Sequence, residues 1–406
     1  MNGIEQYASV VIDALALEPG MCMSITGEPE HRRFIEAFTI AAYRKGAKYV
    51  NAETTPPEVL KARLRYSREE DLSFFPPWLS EEFKAKIDGK WAVLSLTGNE
   101  NPELLENEDT ARIGILQKAY SKIREPFLSA ISSNRTTWCV TGIPTDGWAK
   151  KVFKDEAADA GRLWEILRPI YRLDTPSPID AWKQHARLLS DRCSLLNGKH
   201  FTRIELQSPG TELSVGLLEE SVWLGGTSDC VDGRTFFPNI PTEEVFTTPD
   251  YRTAEGRVTL TKPVLMMGKT VEDGWFVFKE GKVSDYGAKK GKEILEQYFG
   301  IDPQAKYLGE LALVEEGNPV GSSGLVFGNI LFDENAACHI ALGNGYTDAV
   351  KGYELADHRT LLEKGVNVAP VHTDLMFGSS GLDVWGIAAD GSRQQIMHKG
   401  KFILGK

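Results

Sequence analysis

The feature that most constrains the fold is a change in hydrophobic pattern near residues 174–178, Asp-Thr-Pro-Ser-Pro. Before this stretch, apolar residues at helical spacing alternate with short apolar runs of strand length. After it, apolar and polar residues alternate in short segments that are separated by hairpin-type turns. The first pattern is typical of a mostly parallel sheet with helices, and the second of antiparallel strands. We therefore predict an N-terminal α/β domain over residues 1–180, and a C-terminal α+β domain over residues 181–406 rich in antiparallel or mixed strands.

Individual segments support this division. An amphipathic helix is predicted over Arg32–Lys45, where Gly46 occupies the position of a C-cap glycine. The proline-rich stretch Asp71–Leu79 is predicted to be an ordered loop, because prolines interrupt a continuing helix. In the second half, helices are predicted over 179–196 and 289–299, and hairpin turns at Glu280-Gly281, Asp390-Gly391 and Lys399-Gly400.

Charge and cysteine content exclude several classes of protein. The formal net charge is −11, and no block of five or more basic residues occurs, so nucleic acid is not expected as a partner. The five cysteines are scattered without a C-x-x-C pair, which fits a reducing compartment. Glu5 and Asp13 do not fit a secretory leader, and no apolar run approaches the length of a membrane span. We expect a cytoplasmic protein with no membrane partner.

Familiar catalytic motifs are absent, and the remaining candidates are metal-binding residue types in the last part of the chain. The sequence contains no H-E-x-x-H, G-x-S-x-G or Walker-type glycine loop. His372 and Asp374 are two residues apart, so an extended segment would place both on one face. His339 lies in an apolar, strand-like segment, and Tyr346 follows in a turn.

Two further acids interrupt apolar segments. Glu310 precedes Leu311–Val314, and Glu244 is flanked by residues that are expected to be buried. A buried carboxylate must be paired, protonated or bound to a metal. Taken singly, each candidate also has an ordinary structural interpretation: a strand histidine as a hydrogen-bonded core residue, Glu243 and Glu244 as a solvated pair, and His-x-Asp as a surface ion pair.

Taken together, the candidates would make a coherent metal site. Two histidines and three carboxylates exceed the three protein ligands that are usual for one catalytic zinc. They suit two divalent ions, about 3.5–4 Å apart, that share a bridging carboxylate and activate water for hydrolysis.

Four ordered segments resemble the thermophilic-type metalloaminopeptidases, peptidase family M29 (aminopeptidases T, S and II). The segments are Asn239–Thr247 (NIPTEEVFT), Leu308–Val314 (LGELALV), Cys338–Gly343 (CHIALG) with Tyr346, and Val371–Met376 (VHTDLM). The similarity extends upstream to residues 149–153 and 181–182, so it covers nearly the whole chain.

The resemblance implies a metalloaminopeptidase that releases N-terminal amino acids from short peptides with a free N-terminus. It implies a two-metal centre, holding Zn, Co, Mn or Mg, whose ligands are Glu244, Glu310, His339, Tyr346, His372 and Asp374. In the adjacent acidic pair, the family pattern selects Glu244. We infer that Glu310 bridges the ions, and we assign Glu310 and Tyr346 as catalytic residues. The family also implies a homodimer.

Two alternatives stay open at this point. His339, His372 and one acid would also form the two-histidine, one-carboxylate triad of a non-haem Fe(II) enzyme, such as a ring-opening dioxygenase on a related fold. The chain would otherwise be a catalytically inactive binding protein that keeps the fold. The additional acids Glu244 and Glu310 favour two metals over one iron.

Overall fold

The computed structural model describes residues 3–353 and 356–405 and separates them into two compact units. One unit contains the residues up to Trp182 together with Thr227–Pro241. The other contains Lys183–Gly226 and the residues from Thr242 onward. The division at residues 180 and 181 that the sequence pattern suggests stays a prediction.

The helices of the described residues are, in chain order, α1 (Ile4–Ala14), α2 (Arg32–Lys45), α3 (Pro57–Tyr66), α4 (Pro77–Asp88), α5 (Thr110–Ser132), α6 (Asp146–Phe153), α7 (Ala160–Ile170), α8 (Pro178–Lys199), α9 (Lys292–Phe299), α10 (Pro319–Ser322), α11 (Ile330–Asp333) and α12 (His358–Lys364). Short 3₁₀ turns also occur, and the one over Glu334–Ala336 follows α11 directly.

The strands are β1 (Cys22–Gly27), β2 (Tyr49–Thr54), β3 (Ala92–Thr97), β4 (Trp138–Gly142), β5 (Arg203–Ser208), β6 (Thr211–Gly216), β7 (Ser228–Asp229), β8 (Thr235–Phe236), β9 (Asn239–Ile240), β10 (Glu244–Thr247), β11 (Glu255–Thr259), β12 (Val264–Met266), β13 (Lys269–Val271), β14 (Trp275–Lys279), β15 (Lys282–Gly287), β16 (Leu308–Val314), β17 (His339–Gly343), β18 (His372–Met376), β19 (Asp383–Ile387), β20 (Arg393–His398) and β21 (Lys401–Phe402).

The first unit contains the parallel sheet. Its strands follow the order β2-β1-β3-β4-β9 in the described residues, and every neighbouring pair is parallel. The predicted α/β class of this part of the chain is therefore confirmed. Helix α2 has the predicted bounds, and Gly46 ends it with φ of 100°, a left-handed conformation that glycine adopts readily.

One local prediction in this unit is wrong. The stretch Asp71–Leu79 is not a loop throughout, because α4 begins at Pro77. Proline suits the first position of a helix, since its missing N–H would have no intrahelical partner there and its φ is already helical. The prolines therefore start this helix and do not exclude one.

The second unit contains antiparallel sheets, as the alternation of its residues predicts. In the described residues, one sheet follows the order β15-β14-β11-β6-β5-β19-β20-β21, and a second follows β10-β16-β17-β18. The three predicted hairpin turns connect β14 to β15, β19 to β20 and β20 to β21. Every residue of β16 and β17 is buried, so the second sheet lies within the apolar core of its unit.

Among the described residues, no helix is both long enough and apolar enough to cross a membrane.

Candidate metal centre

Strand register places four polar side chains on one face of the β10-β16-β17-β18 sheet. Glu310 on β16 lies opposite Ala341 on β17, which lies opposite Asp374 on β18. His339 and His372 each come two residues before one of these positions on their own strands. Because side chains on a strand point to the same face at every second residue, both histidines share the face of the two carboxylates.

The first strand of the sheet adds a fifth side chain to this face. Glu244 on β10 lies opposite Val314 on β16. Val314 is an even number of residues from Glu310, so Glu244 projects on the same side as Glu310. Both carboxylates are buried.

Potential ligand atoms fall into two groups that share one member. Oxygen and nitrogen atoms of Glu244, Glu310 and His339 lie within 4.8 Å of one another, and so do those of Glu310, His372 and Asp374. Glu310 belongs to both groups. This is the arrangement that two neighbouring cations with a shared carboxylate would need.

Both histidines are oriented by main-chain carbonyls. Nδ1 of His339 lies 3.2 Å from the carbonyl oxygen of Ala337, and Nδ1 of His372 lies 2.8 Å from that of Asn344. A carbonyl oxygen only accepts, so each Nδ1 carries a hydrogen and donates it. Each Nε2 is thereby turned toward the carboxylates, and such backbone hydrogen bonds are usual for histidines that bind metals.

The distances from these Nε2 atoms define a compact centre. Nε2 of His339 is 3.3 Å from Oε2 of Glu244, 3.9 Å from Oδ1 of Asp374 and 4.0 Å from Oε1 of Glu310. Nε2 of His372 is 3.3 Å from Oε2 of Glu310 and 3.3 Å from Oδ1 of Asp374.

Tyr346 reaches the edge of this centre from the turn after β17. Its hydroxyl lies 3.4 Å from Nε2 of His372, and its ring packs edge-on against Phe246. The Thr248 hydroxyl accepts a hydrogen bond from the backbone N–H of Tyr346 and donates one to its carbonyl oxygen. These two bonds hold the turn in place. The side chain is 40% exposed, so the phenol lies where the buried centre meets solvent.

The carboxylates of the centre lie close together, and they raise the pKa values of Glu244, His339 and His372. Burial, with the nearby carboxylates of Glu310 and Asp374, raises the pKa of Glu244 to about 8. Burial opposes the charged form of His339, but the surrounding carboxylates prevail and raise its pKa. The pKa of His372 is raised well above its usual value against the same opposition, mainly through hydrogen bonds with Asp374 and Glu310.

The same carboxylates affect the pKa of the Tyr346 phenol. Burial of its hydroxyl and the charges of Glu310 and Asp374 raise its pKa well above the usual range. Tyr346 is therefore a neutral hydrogen-bond donor at neutral pH.

A buried oxygen in this centre lacks a hydrogen-bond partner. Oε2 of Glu244 has no solvent exposure and makes no hydrogen bond with the described residues, although Nε2 of His339 lies at ion-pairing distance. Leaving a carboxylate oxygen unsatisfied in a buried site is costly. A divalent cation would satisfy it, and carboxylates with histidine Nε2 atoms are donors that such ions accept. The residues present fit a metal centre.

Comparison with known proteins identifies the family of this chain. Residues 1–402 match the model of the family described as Thermophilic metalloprotease (M29). The chain belongs to the M29 metalloprotease family.

Relatives cover nearly the full length of this M29 chain. Aminopeptidase T of Thermus aquaticus is 36% identical over 96% of this chain and 95% of its own length. Aminopeptidase AmpS of Bacillus subtilis is 32% identical over 98% of each. A solved structure, wild-type AmpT from Thermus thermophilus, superposes with a TM-score of 0.91 at 35% identity and covers 99% of both chains. The predicted family and the mixed α/β architecture are both confirmed.

The structure of this M29 chain brings all six predicted site residues together. Five of them, Glu244, Glu310, His339, His372 and Asp374, form the two overlapping groups, and Tyr346 contacts His372. Their roles as ligands stay predictions. The adjacent acid Glu243 is oriented differently: its Oε2 lies 3.3 Å from Nε2 of His185.

Sequence reasoning missed two polar residues beside the centre. Glu334 interacts electrostatically with Glu244, Asp374 and Glu310. Oδ1 of the fully buried Asn335 accepts a hydrogen bond of 2.6 Å from the backbone N–H of Glu243. The available signal was the polar run Asp333-Glu334-Asn335, which precedes the His339 strand and stands between apolar segments.

Proposed function

We propose that this chain is an aminopeptidase that releases N-terminal amino acids from short peptides at a two-metal site. Family membership and the names of the relatives confirm the predicted metal-dependent aminopeptidase activity and give no support to an iron dioxygenase. The observation that carries the two-metal proposal is the position of Glu310, which belongs to both groups of potential ligands.

The residues that would hold the ions follow from the two groups. One ion would be held by Glu244, Glu310 and His339, and the other by Glu310, His372 and Asp374. We keep zinc, cobalt, manganese and magnesium as candidates. Bound divalent ions would supply Lewis-acid polarisation of the scissile carbonyl and a lower pKa for water.

Tyr346 acts on the substrate, and hydrogen bonds to the main chain hold the two histidines in place. The neutral Tyr346 hydroxyl is placed at the solvent-facing edge, where it donates a hydrogen bond to the carbonyl oxygen as negative charge develops there. The hydrogen bonds from His339 and His372 to main-chain carbonyls keep both imidazoles in position during the reaction.

A homodimer, a cytoplasmic location and the lack of nucleic-acid partners remain predictions from the sequence.

The test is hydrolysis of a panel of aminoacyl-p-nitroanilides by protein stripped with a chelator and then supplied with Co²⁺, Zn²⁺, Mn²⁺ or Mg²⁺. We expect metal-restored release from substrates with a free amine, and none from their N-acetylated counterparts. Equal rates for both kinds of substrate would contradict an aminopeptidase. Inactivity with every metal would contradict the proposal as a whole, and oxygen uptake with Fe(II) would then be measured.

A further inference from the structure

The segment that leads into Glu244 is held by side chains that belong to neither group of potential ligands. Strand β10 begins at Glu244, so the peptide group between Thr242 and Glu243 lies just before the ladder with β16. Thr242 and Glu243 are both buried. The carbonyl and the N–H of a buried peptide group need hydrogen-bond partners, and outside a ladder side chains can supply them.

Two side chains bond this peptide group, one at its carbonyl and one at its N–H. Nε2 of His185 on α8 lies 2.8 Å from the carbonyl oxygen of Thr242. Because a carbonyl oxygen only accepts, Nε2 carries the hydrogen and donates it. Oδ1 of Asn335 accepts the N–H of Glu243 at 2.6 Å. Since the peptide group is planar, fixing both of its polar atoms fixes the orientation of the whole group.

Asn335 is itself held in one orientation. Its side chain has no solvent exposure, and its Nδ2 donates to the carbonyl oxygen of Leu331 on α11 at 2.9 Å. A buried amide that is bonded at both its oxygen and its nitrogen cannot rotate without losing both hydrogen bonds. Asn335 therefore ties the start of β10 to α11.

The side chain of Glu243 and the main chain of Glu244 are confined as well. Oε2 of Glu243 lies 3.3 Å from Nε2 of His185, so this side chain faces α8. Successive side chains of an extended segment point to opposite sides, and Glu244 is thereby directed to the face of the candidate ligands. A Cβ atom on Gly225 would lie only 2.4 Å from the carbonyl oxygen of Glu244, so the main chain there has little room to shift.

The direction of Glu244 matters for one of the two groups of potential ligands. Glu244 belongs to the group with Glu310 and His339, and the other group consists of Glu310, His372 and Asp374. A displaced Glu244 would weaken the ion at the first group and leave the ligands of the second in place. Loss of a residue that orients a metal ligand typically lowers metal affinity by roughly 10–100-fold.

We propose that His185 and Asn335 are positioning residues, which direct the Glu244 carboxylate to one of two metal ions by fixing the peptide group between Thr242 and Glu243. This inference rests on the proposed two-metal site, and it gives neither residue a contact with metal or substrate.

The test is titration of chelator-stripped protein with Co²⁺, followed by calorimetry and by the visible absorption of the bound ion. His185→Leu removes the donor to the Thr242 carbonyl, whereas His185→Gln keeps an N–H donor on a side chain of similar reach. Asn335→Ala removes the acceptor of the second hydrogen bond. Glu244→Gln identifies the affinity and the absorption bands of the ion that Glu244 would hold.

The matched control is Thr253→Val. The hydroxyl of Thr253 also bonds one main-chain N–H and one main-chain carbonyl, since it accepts from Gly216 at 2.9 Å and donates to Asp250 at 2.7 Å. This variant therefore removes the same kind of hydrogen bonds from the same unit without touching the segment before Glu244.

In His185→Leu we expect the Co²⁺ affinity that Glu244→Gln lowers to fall about 10-fold or more, and the other affinity to be unchanged. His185→Gln should recover most of this loss, Asn335→Ala should weaken the same ion, and Thr253→Val should bind both ions as wild-type protein does. Equal weakening of both ions in His185→Leu, wild-type affinities in that variant, or no recovery in His185→Gln would overturn the proposal.

The behaviour of wild-type protein separates this proposal from the proposed function. Wild-type protein that binds fewer than two ions would overturn both. Wild-type protein that binds two ions and cleaves no aminoacyl anilide would contradict the aminopeptidase function alone, and the Co²⁺ affinities of the variants would still decide the roles of His185 and Asn335.

Discussion

At the scale of single residues, the position of Glu310 between two groups of donors has a direct consequence for metal stoichiometry. We expect Glu310→Ala to lose much of both ions, because each ion would lose a ligand, and to lower activity by at least about 100-fold. Elemental analysis after dialysis and rates on a free-amine anilide would measure this. Glu296→Ala, which changes an exposed acid on α9, serves as the control. Full metal content and activity in Glu310→Ala would exclude a bridging role.

Tyr346 offers a second residue-scale prediction, since its hydroxyl contacts the centre from the solvent side. If the phenol acts on the developing oxyanion, Tyr346→Phe should keep most of the metal and lose about 10²–10³-fold in kcat. Metal content and kcat measured on the same preparation would separate the roles. Metal loss that parallels the loss of rate would make Tyr346 chiefly a ligand.

The raised pKa values of Glu244, His339 and His372 predict how metal affinity depends on pH. These groups hold protons more tightly in the metal-free fold than isolated side chains do, and bound metal must displace those protons. The apparent affinity should therefore rise from about pH 6 to above pH 8, the value near which Glu244 titrates. Competition titrations with a chelating dye across this range would test the sign, and an affinity that is constant with pH would contradict it.

At the scale of elements, β17 presents its two faces to different surroundings. Ala341 lies between Glu310 and Asp374 across the sheet, whereas the adjacent Ile340 points into the apolar core. A larger side chain at Ala341 would displace the two carboxylates. We expect Ala341→Leu to destabilise the fold by about 1–3 kcal/mol and to lose metal.

The matched variant on the other face is Ile340→Val. Removing one buried methyl group there should cost about 0.5–1.5 kcal/mol and leave metal content unchanged. Denaturant unfolding together with elemental analysis would distinguish the two variants. If both variants lost metal equally, the effect would come from general destabilisation of β17 and not from the face that carries the carboxylates.

Elements set by local signals were predictable from the sequence. Helix α2 and its terminal Gly46 depend on apolar spacing and on a glycine conformation, and the hairpins depend on short turns, so each could be predicted without knowledge of distant contacts. Strand β9 could not, because its two residues pair with β4 about a hundred positions earlier. Local pattern carries no information about such a partner.

The candidate centre shows the same limit. The spacing of His372 and Asp374 indicates a shared face, and apolar surroundings single out His339, Glu310 and Glu244. The family resemblance joins these residues and Tyr346 into one ligand set. The approach of Glu334 to Glu244 was not predictable, because it depends on how the turn after α11 packs against β18. The sequence also does not show which of the adjacent acids Glu243 and Glu244 faces His185, because this depends on the folded structure.

At the scale of the whole molecule, all six predicted site residues lie in the unit that contains the residues from Thr242 onward. An ion that binds only the folded state stabilises it by mass action, by about 2.7 kcal/mol at a free concentration 100 times its Kd. The stabilisation should be local, because the candidate ligands connect β10, β16, β17 and β18 and none of them lies in the parallel sheet.

Hydrogen exchange with and without chelator would locate this effect. We expect metal removal to accelerate amide exchange in peptides that cover β10 and β16–β18, while peptides that cover β1–β4 change much less. The reason is that four strands held through shared ligands lose their cross-links together, whereas the hydrogen bonds of the parallel sheet do not involve the ligands. Similar acceleration in both sheets would show that the two units open together when metal is lost. Stabilisation by metal would then belong to the whole molecule and not to the unit that carries the candidate centre.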